Sequence, residues 1–324
     1  MATENGASPG LGGQRGKELF LGIGGTLVFF FSALLIPMVG LFAGIFTPLP
    51  TLLFFYRWGP PWGYVIPGGA ALLGIPLLML LDLGYGAPYL LEMLVFGLFL
   101  GFGMRRHWSV ERVVGSASAL VTVMGLLFLW ISLQGTEGGF FKAMEDDLQS
   151  SITATLQQYG DLSRDQKAVS SAIQKVVPLI VRLFPAIAVS SAILISWMNL
   201  LVTRRYCRNH RVLLPPWREW SHWKANDLLV WVVIGAGFSQ LLPMGIFRLV
   251  GLNVLLVVGT IYLLQGFSIM AFYFDRWNLP KPLRAFLYAL LLLQQYLALG
   301  AVLFGLFDVW VDFRRLSGKP AEPT

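Results

Sequence analysis

Few side chains in this sequence could do chemistry, and most of them lie inside apolar stretches. Glu92 and Arg182 each sit a turn or two within a hydrophobic run. An isolated charge at the centre of a lipid-embedded helix costs about 2.5–3.5 kcal/mol, so it pairs, faces a wet cavity or snorkels to the interface. As a ligand-facing pair, Glu92 and Arg182 would hold a small polar molecule. As snorkelling groups they would only anchor their helices. Asn253 and Gln265, with Asn199, Gln240, Gln294 and Gln295, add neutral amides to the same stretches. Such amides bond helix to helix for about 0.6–2 kcal/mol each, or line a pocket. Asp308 and Asp312 are spaced i, i+4 on one helical face, with Arg314 and Arg315 just behind them. That pattern makes either a terminal ion-pair cluster or a proton or cation site.

Catalytic and cofactor signatures are weak. A nucleophilic or acid–base centre needs a nucleophile, a base and an orienting group together. The three histidines, His107, His210 and His222, lie in or beside basic loops with no carboxylate pair nearby. Cys207-x-x-His210 with His222 beyond is too loose a spacing to read as a metal site. Phosphate-cradling, zinc-protease and dinucleotide-binding patterns do not occur. The sequence therefore reads as non-enzymatic, with no cofactor and no metal, and active transport would have to draw its energy from a partner or an ion gradient. The single cysteine excludes an internal disulfide.

The elements that position these groups follow from composition. The chain has 324 residues, 56% hydrophobic and 13% charged. A soluble domain carries about 25% charged residues, and no fold of this length hides so much apolar surface from water. The solvent for most of the chain is lipid, and its fold class is an all-α, polytopic transmembrane bundle. A bilayer core of about 30 Å needs about 20 apolar residues per helix. On that measure we expect about eight or nine spans, near 19–38, 40–56, 62–81, 89–104, 113–133, 176–203, 227–242, 249–274 and 283–311. The stretch 40–56 is broken by Pro48 and Pro50 and is either a span or a re-entrant segment. Glycines such as Gly22, Gly24, Gly25, Gly97, Gly101 and Gly103 fall in spans, where they let helices approach closely.

The spans organise the chain into a polar N-terminus (1–18), a six-span bundle (19–203), a basic loop (204–226), a three-span C-terminal region (227–316) and a polar tail (317–324). The first span reads as uncleaved. Fifteen of the 24 Lys and Arg residues fall on the side of the N-terminus and the basic loop, eight on the side of segment 134–175, and Arg182 lies within a span. The excess of basic residues marks the cytoplasmic side, so segment 134–175 is expected outside and the +7 net charge calls for no nucleic acid. Within 134–175, Phe140, Met144, Leu148, Ile152 and Leu156 recur at helical spacing, and Gly160 ends the run. Ser163 with Gln166 forms a capping-box pattern for a second helix that continues into the sixth span. The segment is expected to be an external helical hairpin. Trp217, Trp220 and Trp223 are spaced as on a short interfacial helix.

Two groups of motifs carry a family resemblance. One is Ile36-Pro37, then Pro48-Leu49-Pro50 and Tyr56-Arg57-Trp58-Gly59. The other is Gly251-Leu252-Asn253, Tyr262-Leu263-Leu264-Gln265-Gly266, Phe272-Tyr273 and Gly305-Leu306-Phe307-Asp308-Val309-Trp310-Val311-Asp312-Phe313-Arg314. Together they resemble the YybS-like family of bacterial integral membrane proteins, over nearly the whole chain. That family is similar to the substrate-binding components of energy-coupling-factor vitamin transporters. The resemblance implies a multi-pass protein of the bacterial inner membrane that binds an unknown small molecule from outside and docks on membrane and ATPase partner subunits. Glu92, Arg182, Asn253, Gln265 and Asp308 are the candidate ligand-binding residues. The alternative is a non-catalytic scaffold or assembly protein of the cell envelope, using the external hairpin and loop 204–226 as docking surfaces.

Overall fold

The computed structural model of the protein describes residues 11–36, 39–133, 139–158 and 166–315. These form twelve α-helices, and no strand occurs among the described residues. In chain order they are α1 (Leu11–Leu35), α2 (Val39–Gly44), α3 (Pro48–Trp58), α4 (Val65–Leu80), α5 (Ala87–Arg105), α6 (Val110–Ser132), α7 (Phe140–Gln158), α8 (Gln166–Asn209), α9 (Leu229–Ser239), α10 (Gly245–Arg276), α11 (Lys281–Leu293) and α12 (Gln295–Val311). In lipid, a helix satisfies its own backbone polar groups, which is why the apolar runs take this form.

Six helical stretches are long and apolar enough to cross a membrane: Gly16–Leu35, Trp62–Leu80, Gly84–Arg105, Val110–Ser132, Ile173–Asn209 and Gly245–Arg276. A seventh exists if α11 and α12 count as one span. The eight or nine expected crossings are therefore not reached, for three local reasons. The stretch 40–56 becomes two short helices, because Pro48 and Pro50 lack the N–H groups that would continue α2 and instead open α3. The seventh expected span shortens to the 11 residues of α9, about 16 Å at 1.5 Å per residue, half a bilayer core. The ninth bends by 101° between α11 and α12, where Gln294 takes an extended backbone.

The chain divides into two compact units. One comprises residues 1–132 and 191–217, the other 133–190 and 218–324, so the boundary cuts α8. In the first unit α5 packs on α3, α4 and α6, and α1 packs on α2, α3 and α4. Phe30, Ala70, Leu78, Leu90 and Leu94 form a buried apolar cluster among α1, α4 and α5. A Cβ on Gly97 would stand 2.5 Å from the Pro48 carbonyl oxygen, so α5 meets α3 this closely only with glycine there. Gly22, Gly101 and Gly103 also have close neighbours, whereas Gly24 has none within 4 Å.

In the second unit α10 is the central helix. It packs on α9, on α12 and on the loop before α9. Gly266 and Gly305 bring α10 and α12 into backbone contact: a Cβ on Gly305 would lie 2.1 Å from the Tyr262 carbonyl oxygen. Helices α7 and α8 match the two helices read for segment 134–175, the second running on into the sixth expected span. On α7, Met144, Leu148 and Ile152 are half-buried while Asp146, Asp147 and Ser150 are exposed. The Gly160 stop, Ser163 of the capping box, Pro37 and the tail 317–324 lie outside the described residues.

Candidate functional site

At the C-terminal end of α12, Asp308 and Arg314 form an ion pair at 2.8 Å with both side chains fully buried. The second Asp308 oxygen accepts the Phe313 N–H at 3.0 Å. Gln265, on α10, donates to Asp308 Oδ2 at 2.9 Å and accepts the Ala225 N–H at 3.1 Å. Arg314 Nη1 donates to the carbonyls of Ser221 and Trp223, both at 2.9 Å, and to Ser268 Oγ at 2.7 Å. The result is a knot that ties loop 220–225 and the residues after α12 to α10. Two predicted site residues, Gln265 and Asp308, are thus brought together, with their polar groups engaged by protein partners.

Two expectations are corrected here. Asp312 does not share a face with Asp308: α12 ends at Val311, and Asp312 turns into the left-handed region at φ 44° as the helix C-cap. The three tryptophans do not lie on an interfacial helix. Only Trp220–His222 make a single 3₁₀ turn, and Trp223 follows in extended conformation. Pro215 and Pro216 precede them, and the carbonyls of Trp220 and Trp223 point at Ser268 and Arg314 instead of along a helix. Spacing had signalled Arg314, six residues past Asp308. Nothing in the sequence could have signalled the backbone carbonyls that receive it.

Asn253 and Arg182 meet elsewhere in the same unit. Pro185 lies inside α8 and offers no N–H to the turn before it. The Asn253 carboxamide spans this turn. Its Oδ1 accepts the Ala186 N–H at 3.2 Å, and its Nδ2 donates to the Arg182 carbonyl at 3.1 Å. A third bond runs to the Leu249 carbonyl within α10. Alongside lies an open depression of about 480 Å³, walled by Val189 of α8, by Val250, Val254 and Val257 of α10, and by Phe141 of α7. Arg182 stands at it with its side chain exposed. Its guanidinium has no ion-pair partner among the described residues. An apolar trough with one unneutralised cation suits an amphipathic anion.

Glu92 belongs to the first unit. It is half-buried on α5, and its carboxylate lies against Gly125 of α6, where a Cβ would be 2.9 Å from Oε1. It too has no ion-pair partner among the described residues. The described residues contain no group of three His, Cys, Asp or Glu side chains placed to hold a metal.

Several long apolar helices, a bent pair, and polar groups engaged between helices define a multi-pass α-helical membrane protein. The chain belongs to the DUF2232 family of predicted membrane proteins, whose model matches residues 26–309. No curated protein and no solved structure matches it.

Proposed function

We propose that the protein is a non-catalytic small-molecule binding or uptake component of the bacterial inner membrane, YybS-like and related in role to the substrate-binding subunits of energy-coupling-factor transporters. Its ligand is an amphipathic small molecule with an anionic group. The observation that carries this reading is the trough between α8 and α10, apolar along its walls with Arg182 unpaired beside it. In the orientation favoured by basic-residue bias, the N-terminus is cytoplasmic and segment 134–175 is outside.

Ligand screening by thermal shift, on protein in nanodiscs of zwitterionic lipid, tests the proposal. A ligand at 100 times its Kd stabilises by about 2.7 kcal/mol. Arg182→Ala should abolish the shift given by anionic ligands and leave the unliganded melt within about 0.5 kcal/mol of wild type, as for an exposed side chain. A screen of vitamins, metabolites and anionic amphiphiles without a single shift sinks the reading.

The alternative, an envelope scaffold, draws on α7, whose exposed charged face flanks a half-buried apolar stripe. Deleting residues 140–172 separates the two: loss of partner capture by a bundle that still folds favours the scaffold.

A further inference from the structure

In the first unit, four buried oxygen atoms on α8, on α3 and at the break before α3 have no hydrogen-bond partner among the described residues. Thr47, Thr51, Asn199 and Thr203 are all fully buried. Among the described residues, the three threonine hydroxyls and Asn199 Oδ1 have no hydrogen-bond partner. Asn199 Nδ2 donates to the Ile45 carbonyl at 2.8 Å and to the Ile195 carbonyl at 2.7 Å, and this fixes the amide orientation, because only the NH₂ end can serve two carbonyls. Oδ1 is therefore left as a free acceptor by the geometry itself.

The same bond brings α8 to the break between α2 and α3. Thr47 lies in that break, two residues past Ile45. It occupies the N-cap position of α3 but makes no capping bond, because Pro50 has no N–H and the Leu49 N–H is given to the Phe46 carbonyl, so its hydroxyl is left over. Thr51 follows one turn later on the same face of α3. Its Cβ and methyl pack over Gly97, which leaves the hydroxyl turned elsewhere. Thr203 lies one turn beyond Asn199 on α8. Ser196, on that face one turn earlier, already shares a 3.4 Å contact with Ser118 of α6. Buried polar atoms in membrane helices are nearly always satisfied, because lipid offers no substitute partner.

We propose that Thr47, Thr51, Asn199 and Thr203 form a binding site for an alkali-metal cation at the α2–α3 break. The ligand set is all oxygen, which suits a hard cation, and it is all neutral, which suits a single charge; a divalent ion would call for carboxylates. Broken helices inside membrane bundles are where such ions bind. The site does not depend on the trough proposed above, and it gives the protein a means of sensing or coupling to a cation gradient.

The test is thermal unfolding of the full chain in nanodiscs, in sodium, potassium or choline chloride at equal ionic strength. We expect a saturable rise in Tm with one alkali cation over choline, about 2 °C at ten times the Kd. Thr47→Val with Thr203→Val, which removes hydroxyls at constant shape, should erase that rise. Asn199 is left intact because its amide holds Ile45. Direct binding of radioactive sodium or rubidium to the wild type gives a second readout that does not depend on the variant folding. A wild-type melt indifferent to the cation, with no isotope bound, overturns the proposal. So does a double variant that is more stable than wild type in all three salts, the result expected of hydroxyls that are merely unpaired.

Discussion

Arg314 is the residue on which the C-terminal end of the protein turns. It brings a full positive charge into a fully buried position, where Asp308 neutralises it and three oxygens take the donors of one terminal nitrogen. Removing one member of such a pair leaves a buried charge alone, which costs about 3–5 kcal/mol. Asp308→Ala should therefore lower thermal stability by about that much. Asp308→Leu combined with Arg314→Met should lose less than Asp308→Ala alone, since no unpaired charge remains. Melts of the three proteins in one detergent decide it, and a double variant worse than the single would mean the pair is not the dominant contribution. The importance of both residues was legible in the sequence, because charge within or beside an apolar run has to be explained. Their partners were not. Backbone carbonyls at Ser221 and Trp223 carry no sequence signature, and neither does the choice of Gln265 over the other buried amides.

Among the elements, α12 shows how one helix carries opposite demands on the same residue type. Gly305 faces α10 with no room for a side chain, while Gly300 has nothing within 4 Å. Gly305→Ala should cost about 1–3 kcal/mol, because the new methyl would overlap the Tyr262 carbonyl and the helices must separate. Gly300→Ala should leave the protein unchanged or about 0.5–1 kcal/mol more stable, through helix propensity alone. Thermal unfolding of both variants checks the contrast, and equal effects would mean α10 and α12 are not in backbone contact. Sequence spacing identified α1, α4, α5, α6, α8 and α10 because each is a long apolar run. It missed the bend between α11 and α12, since neither proline nor glycine marks Gln294 and the run stays apolar on both sides. At Pro185 one backbone hydrogen bond of α8 is missing. That Asn253 would span that turn from α10 depends on the register of two helices, which only packing decides.

For the whole molecule, we expect α8 to be a membrane crossing. Its span Ile173–Asn209 is 37 residues, about 55 Å long at 1.5 Å per residue, well beyond a hydrocarbon core of about 30 Å. If α8 crosses the membrane, as its length allows, the loops at its ends are expected on opposite sides. In a Cys207→Ala background, Lys142→Cys should react with a membrane-impermeant maleimide in intact cells, and Arg211→Cys only after permeabilisation. Both positions are exposed, and the native thiol is buried. Labelling of both from the same side would remove α8 as a crossing, and the reverse pattern would invert the orientation drawn from basic-residue bias.

Composition alone determined that this protein lives in lipid and is helical, since 56% hydrophobic residues leave no other solvent and lipid leaves the backbone few other structures. Apolar run length placed the principal crossings, and the rarity of intramembrane charge picked out Glu92, Arg182 and Asp308. Tertiary structure decided which of these groups are engaged. Asp308 finds Arg314 and Gln265, whereas Glu92 and Arg182 find no ion-pair partner among the described residues. It also exposed the unsatisfied oxygens of Thr47, Thr51, Asn199 and Thr203, residues that look like ordinary helix-packing positions in a string of letters. The physical reason is the same in each case. The cost of burying a polar atom belongs to the residue and can be read locally, but its satisfaction depends on an atom brought from elsewhere in the chain.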